Sequence, residues 1–302
     1  MSQKSYDNSP SVYLIPTPIG NLDDLTNRSI KTLELVDIIF SEDTRVTGEL
    51  LAKLGIKKKL INSNDHNEEN TKYEAIKYLE KGNSIGIVTD RGTPIISDPG
   101  YKIVEECIKK GYNVIPLPGA NALIPALIAS GINPSPFMFY GFLNSKKSKR
   151  EKELSFLKNY PITIIFYEAP HRIIDMLESL RSVFGDRKIS VSRELTKLHE
   201  EIYRGNVSDV IRELSSCEIR GEFVVVVSGK ELDEKFNELT IEEHINLYLD
   251  DGKDIKEAMK MVAKDRKISK SEVYKEYHSK KGKWFYEINS RFRKSRKRIC
   301  RY

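Results

Sequence analysis

From Ser11 to about Ser130, short apolar runs alternate with amphipathic stretches of helical length, and that alternation leaves few folds open. Antiparallel strands can be joined by a tight turn, whereas parallel neighbours need a crossover of roughly a dozen residues, usually a helix. Residues 12–15, 38–41, 59–61, 85–89 and 113–117 read as strands, and 26–35, 47–54, 69–79 and 101–109 place apolar side chains at helical spacing between them. Gly55, Gly82 and Gly111 follow three of these helices as stop signals. The pattern predicts an α/β unit with a largely parallel sheet.

A second alternation follows, with strands expected at 137–142, 162–167, 188–193, 201–203 and 222–228, and helices at 149–157, 172–184 and 207–214. Between the two halves, residues 122–131 form a nearly all-apolar helical run, which is expected to be buried on all sides. Beyond Glu234 the strand runs stop and charged helix formers take over, with helices expected at 255–263 and from 268 and an N-cap at Ser269 or Ser271. The sequence therefore divides into an α/β domain at 11–122, a second at 123–232, and a helical extension at 233–302 that ends in a basic tail.

With 39% hydrophobic residues the chain can build a sizeable core, yet no apolar run approaches the roughly 18 residues a membrane span needs. The first ten residues are polar and carry no targeting pattern, so a cytoplasmic protein is expected. The cysteines, Cys107, Cys217 and Cys300, lack paired spacing; neither a disulfide framework nor a metal site is expected, and Cys107 and Cys217 read as buried thiols. A net charge of +6 is unevenly placed, in clusters at 57–59, 146–150 and 291–302, which suits a polyanion such as RNA.

The densest ligand signal is the run from Ile85 to Gly100. An apolar strand ends there in a loop holding Asp90, Gly92, Pro94, Asp98 and Pro99, whose glycine and carboxylates suit close backbone approach and polar ligand atoms. The first strand ends in residues 16–22, where a dinucleotide-binding fold would carry G-x-G-x-x-G, and that fingerprint is absent. No Walker A motif, zincin motif or nucleophile elbow occurs either, which disfavours phosphoryl transfer and common hydrolase chemistry.

Seven segments, at 16–23, 41–45, 90–100, 117–122, 167–172, 193–200 and 221–223, resemble in order the motifs of the tetrapyrrole methylase superfamily of S-adenosylmethionine-dependent enzymes. The resemblance implies two α/β domains with the cofactor in the cleft between them, and a homodimer. It also implies methyl transfer to the ribose 2′-hydroxyl of a cytidine in the decoding region of 16S rRNA, with the RNA or the small ribosomal subunit as partner and no metal. Pro18, Gly92, Thr93, Pro94, Ile95 and Asp98 are then candidates for holding S-adenosyl-L-methionine, with Gly119, Ala120 and Ala122 as a second wall and Tyr167, Glu168 and Ala169 as a third. Asp43, Glu168, Glu194 and Lys197 are candidates for activating the hydroxyl, by taking its proton or stabilising its developing charge. Arg45, His66, Lys146, Lys147, Lys149, Arg150, Arg172 and Arg193 are candidate RNA contacts. Arg91 stands where such proteins usually have a small residue, and because it would repel a sulfonium it is expected to point outward or toward RNA. A small-molecule methylase of the same fold and a catalytically silent RNA-binding factor are the competing readings.

Overall fold

The computed structural model describes residues 3–5, 7–230, 239–266 and 268–280. The chain forms two compact units, 1–229 and 230–302. The basic tail at 291–302 and Cys300 lie outside the described residues.

The first half of the larger unit is a fully parallel sheet of five strands in the order β3-β2-β4-β1-β5. These are β1 (Ser11–Leu14), β2 (Ile38–Ser41), β3 (Lys59–Asn62), β4 (Ile85–Val88) and β5 (Asn113–Pro116). The crossovers are α1 (Asn27–Leu35), α2 (Thr44–Lys53), α3 (Glu68–Glu80) and α4 (Tyr101–Lys109). Helices cover both faces, so β2 and β4 are buried at every position, which explains their largely apolar sequence. Ile38, Phe40, Ile85 and Ile87 pack in one cluster with residues of α3 and α4, and Ile39 and Val88 in another with Leu33 and Leu51. Because β4 returns between β1 and β2, the chain reverses direction across the sheet there. Ligands bind at such switch points because the loops diverge and leave a crevice at the carboxyl ends of the strands.

The second sheet has the order β6-β7-β10-β8-β9, built from β6 (Phe137–Phe142), β7 (Thr163–Glu168), β8 (Lys188–Arg193), β9 (Glu201–Asn206) and β10 (Phe223–Val227). Only the β6/β7 pair is parallel. One face carries a core with α6 (Lys147–Leu157), α7 (Ile173–Phe184) and α8 (Val207–Ser215), including Phe166, Met176, Leu180, Val210 and Val225. The alternate residues Ile165, Val224 and Val226 point the other way and pack with Ala126, Leu127 and Ile19. That second cluster ties the two sheets together.

The apolar run at 122–131 forms only a two-turn helix, α5 (Leu123–Ala129), and it is not buried all round. Ala126 and Leu127 face the sheet, but Ile128 is 73% exposed, because so short a helix has a single contact face. Cys107 is buried as expected, whereas Cys217 falls beyond the end of α8 and is exposed.

The smaller unit has three helices among its described residues, α9 (Ile241–Asp250), α10 (Ile255–Asp265) and α11 (Lys270–Lys280). They pack around Ile245, Ala258, Val262 and Val273. Ser269 is the cap expected for α11, its hydroxyl accepting from Glu272 N–H at 3.1 Å. Helix α9 is not among the elements expected from sequence; its start is set by a reciprocal capping box between Thr240 and Glu243.

Candidate active site

A cleft of about 760 Å³ opens at the carboxyl ends of β2 and β4 and is closed on its other side by α5, β6, β7 and β10. The turn after β1 anchors its first wall. Thr17 N–H donates to Gly92 O (2.9 Å), Gly92 N–H returns a bond to Thr17 O (3.0 Å), and the Thr17 hydroxyl donates to Thr89 O (3.1 Å). Thr93 then donates its hydroxyl to Ala120 O at 3.0 Å, joining the loop after β4 to the loop after β5.

Two segments facing the cleft hold unusual backbone. Ile95 and Ser97 in one, and Glu194 and Thr196 in the other, have φ of 78°, 66°, 51° and 68°. Left-handed backbone crowds Cβ against the carbonyl, worst for β-branched residues, and costs on the order of 1–3 kcal/mol per residue. Local contacts within the loops bear on two of them: Thr196 N–H donates to Glu200 Oε2 at 2.7 Å, and Ile95 lies so close over Gly100 that a Cβ there would sit 3.3 Å from Ile95 Cγ1.

Glu194 and Lys197 are the most firmly placed polar pair. Lys197 Nζ lies 2.7 Å from Glu194 Oε1, and both side chains are about three-quarters shielded from solvent. The stem of Lys197 runs over Gly20, where a Cβ would collide with its Cγ. The Glu194 carboxylate lies over Gly221, where a Cβ would sit 2.5 Å from Glu194 Cγ. Gly221 also has φ of 81°, so glycine is required there twice over. Lys197 holds the Glu194 carboxyl below its ordinary range.

The cleft wall carries Glu42, Asp90, Asp98, Glu168, Glu194 and Glu222 against only two cations, Arg91 and Lys197. Burial first, and then the neighbouring charges of Glu42, Asp90 and Asp65, push Asp98 up to about 6 despite a hydrogen bond from Thr89. Burial likewise pushes Tyr167 up to about 12. Glu168 is raised by burial, but its oxygens are already engaged, Oε1 by Ala169 N–H (2.9 Å) and Oε2 by Arg172 Nη2 (3.2 Å).

Of the candidate cofactor residues, Gly92, Thr93, Asp98, Ala122, Tyr167, Glu168 and Ala169 line the cleft. Pro18, Pro94, Ile95, Gly119 and Ala120 do not line it; Gly119 lies so close to Pro16 that a Cβ would sit 2.5 Å from the proline Cβ. Of the candidates for activating the hydroxyl, Glu168, Glu194 and Lys197 line the cleft and Asp43 does not. Asp43 is the N-cap of α2, accepting from Arg45 N–H at 2.8 Å, and its ion pair with the exposed Arg45 guanidinium holds it down at about 2.

The candidate RNA contacts separate by exposure. His66, Lys146, Lys147 and Lys149 are exposed, with the lysines at the start of α6. Arg150 is only 3% exposed and is committed to the fold: it donates to Ser179 Oγ, Ser145 O and Asp175 O, so it is not available to RNA. The i, i+4 helical spacing that directs Leu154 to the core directs Arg150 inward with it. Arg172 is largely shielded and paired with Glu168; Arg193 is largely shielded and paired with Glu201 at 2.9 Å. Arg91 is half-exposed and paired with Glu222 at 2.7 Å.

Glu42, Asn121, Phe142 and Glu222 also line the cleft and are not among the site residues expected from sequence, nor are Gly20 and Gly221. Phe142 follows a bulge in β6 near Gly141, which shifts the register against β7. Among the described residues, no group of three or more His, Cys, Asp or Glu is placed to hold a metal ion, and no helix is long and apolar enough to cross a membrane.

Residues 11–211 match the family model described as Tetrapyrrole (Corrin/Porphyrin) Methylases. A protein of Bacillus subtilis (strain 168) named Ribosomal RNA small subunit methyltransferase I is 49% identical over 275 residues, covering 89% of this chain and 94% of that protein. A protein of the same name from Halalkalibacterium halodurans is 42% identical over 285 residues, covering 92% and 99%. The crystal structure of the methyltransferase CobJ superposes with a TM-score of 0.56 at 19% identity, covering 74% of this chain and 95% of that one, a likeness of fold. On the family match, and on relatives this similar over most of its length, the chain belongs to the tetrapyrrole (corrin/porphyrin) methylase family.

Proposed function

We propose that this chain methylates the RNA of the small ribosomal subunit with S-adenosyl-L-methionine as donor, on the ribose 2′-hydroxyl of a cytidine in the 16S decoding region. The observation that carries the reading is 49% identity over 89% of the chain to a protein named Ribosomal RNA small subunit methyltransferase I.

The cleft fits the donor chemically. Six carboxylates against two cations favour a cationic ligand, and Ile19, Ala122, Leu123, Ile124 and Val224 give apolar surface for a flat ring. Gly92, at φ of 88°, leaves backbone open where a side chain would press on Ile19. Asp98, Gly92, Thr93, Ala122, Tyr167 and Ala169 would hold the donor, which supplies an electrophilic methyl group when bound.

The chain's own residues position and polarise. A ribose hydroxyl is a weak nucleophile, so charge developing on its oxygen needs a nearby cation. Lys197 is that cation in this reading, held by Glu194 and by the two glycines under the pair. Glu168 fixes the turn after β7 through Ala169 and Arg172. Lys146, Lys147 and Lys149 stand exposed at the start of α6, where the helix dipole disfavours cations and, among the described residues, only Lys147 has a nearby carboxylate, Glu151 at 3.9 Å; this cluster supports an RNA contact. We extend the reading to a homodimer, for which Ile128 on α5 offers exposed apolar surface outside the cleft.

The test is incubation with labelled donor and small ribosomal subunits that lack the modification, followed by mapping of the label. Label on a single cytidine ribose is expected. Label on a base, or only on small molecules, would overturn the reading, and a monomer by light scattering would remove the dimer from it.

A further inference from the structure

Any RNA strand that presents a 2′-hydroxyl also presents the phosphodiester on the adjacent 3′ carbon, so a negative charge arrives close to the reacting oxygen. The cleft is poorly suited to that charge, having six carboxylates and two cations. One cation, Lys197, is shielded and bound to Glu194. The other, Arg91, follows β4, and its side chain is 54% exposed. Its present partner, Glu222, precedes β10, the central strand of the second sheet, and is 64% exposed, so the pair links the loop after β4 of one sheet to the start of that strand in the other across the cleft. Glu222 is also joined to the Lys197 seat, because Glu194 N–H donates to Glu222 O at 3.2 Å.

We propose that Arg91 is the phosphate ligand for the acceptor strand, and that Glu222 holds its guanidinium across the cleft until the polyanion displaces it. The proposal rests on the RNA reading above. A guanidinium pairs with two phosphate oxygens at once, while an exposed ion pair of the Arg91–Glu222 kind is weak. Exchange of Glu222 for phosphate is therefore favourable. It frees the mouth of the cleft as RNA enters and keeps Arg91 neutralised, so that its repulsion of a cationic donor stays offset. Arg91 is in this way a positioning residue whose charge is compensated in both states, first by a carboxylate and then by the substrate.

The two partners give opposite predictions. In the full-length protein, R91Q should weaken binding of unmodified small ribosomal subunits about tenfold, raise KM more than it lowers kcat, and reduce the slope of log affinity against log salt by about 0.7 to 0.9. E222Q should release Arg91 and tighten the same binding by about threefold, with the slope kept, because only the competing carboxylate is removed. A merely structural strap would make both substitutions loosen the cleft, weakening subunit binding and donor binding together. The proposal is overturned if the two variants shift affinity in the same direction, or if R91Q retains the wild-type salt slope. Direct binding titration separates this outcome from failure of the methylation reading: a wild-type protein that transfers no label refutes that reading alone, and the opposed affinities still decide the role of Arg91. Both substitutions fall on exposed side chains, and unchanged thermal melting verifies that the variants are folded.

Discussion

Gly221→Ala offers the sharpest test of how the Glu194–Lys197 pair is held. At φ of 81°, an alanine incurs the left-handed backbone penalty, roughly 1–2 kcal/mol. Its Cβ would also overlap the Glu194 carboxylate, so that group must leave its seat, breaking the 2.7 Å contact with Lys197. A mostly shielded ion pair of this geometry is worth about 1 kcal/mol net. The total expected loss is about 2–3 kcal/mol. Gly111 is the natural control, since it has φ of 82° but no atom lies within 4 Å of the place a Cβ would occupy, so Gly111→Ala meets the strain without the clash. Urea denaturation should show G221A less stable than G111A by about 1 kcal/mol. Methyl-transfer kinetics should show kcat reduced about tenfold or more in G221A and unchanged in G111A, as each tenfold corresponds to about 1.4 kcal/mol of barrier. If the two variants match in both stability and kcat, the seat is not what places Lys197, and the reasoning fails.

Other outcomes follow from the same geometry. Asp98 is raised to about 6, so its charge is lost as pH falls through that value, and donor binding should weaken about fivefold between about pH 7.5 and about pH 5; calorimetry on Asp98→Asn should show the dependence abolished. For stability the sign is opposite: a carboxyl raised in the fold favours the folded state at low pH, and that contribution disappears as pH rises from about 4 through about 6, so D98N should flatten the wild-type decline in that window. Arg150→Ala should cost about 2–4 kcal/mol by denaturation, because it leaves Ser179 Oγ and the Ser145 and Asp175 carbonyls without their buried donor. Lys147→Ala with Lys149→Ala should leave stability unchanged and lower the salt slope of RNA binding by more than one unit, roughly 0.7–0.9 per phosphate contact; an unchanged slope would remove these lysines from the interface.

The strands of the first sheet are legible in the sequence because burial on both faces demands apolar runs such as that at 38–40, and a crossover between parallel strands demands helices of visible length. Charge and spacing are less informative for single side chains. By residue type Arg150 belongs with its lysine neighbours as a surface cation, yet a helix turns its residues by about 100° each, so Lys149 faces water while Arg150 points at α7. Asp43 has the chemistry of a base but the position of a helix cap, a distinction set by where α2 begins. Gly20 and Gly221 are visible as glycines, but the side chains that need their missing Cβ atoms lie 177 and 27 positions away in the chain, at Lys197 and Glu194.

By itself, then, the sequence determined the α/β class, the strand and helix order through most of the chain, the family resemblance, and the loops that bring ligand-facing residues to strand ends. These are consequences of local periodicity and short motifs, which act over neighbouring residues. Only the tertiary structure decided that Lys197 rests on Gly20, that Arg91 reaches Glu222, and that six carboxylates share one cleft with two cations. Each of those facts joins residues distant in the chain, and electrostatic and steric effects depend on separation in space, which folding sets and sequence distance does not.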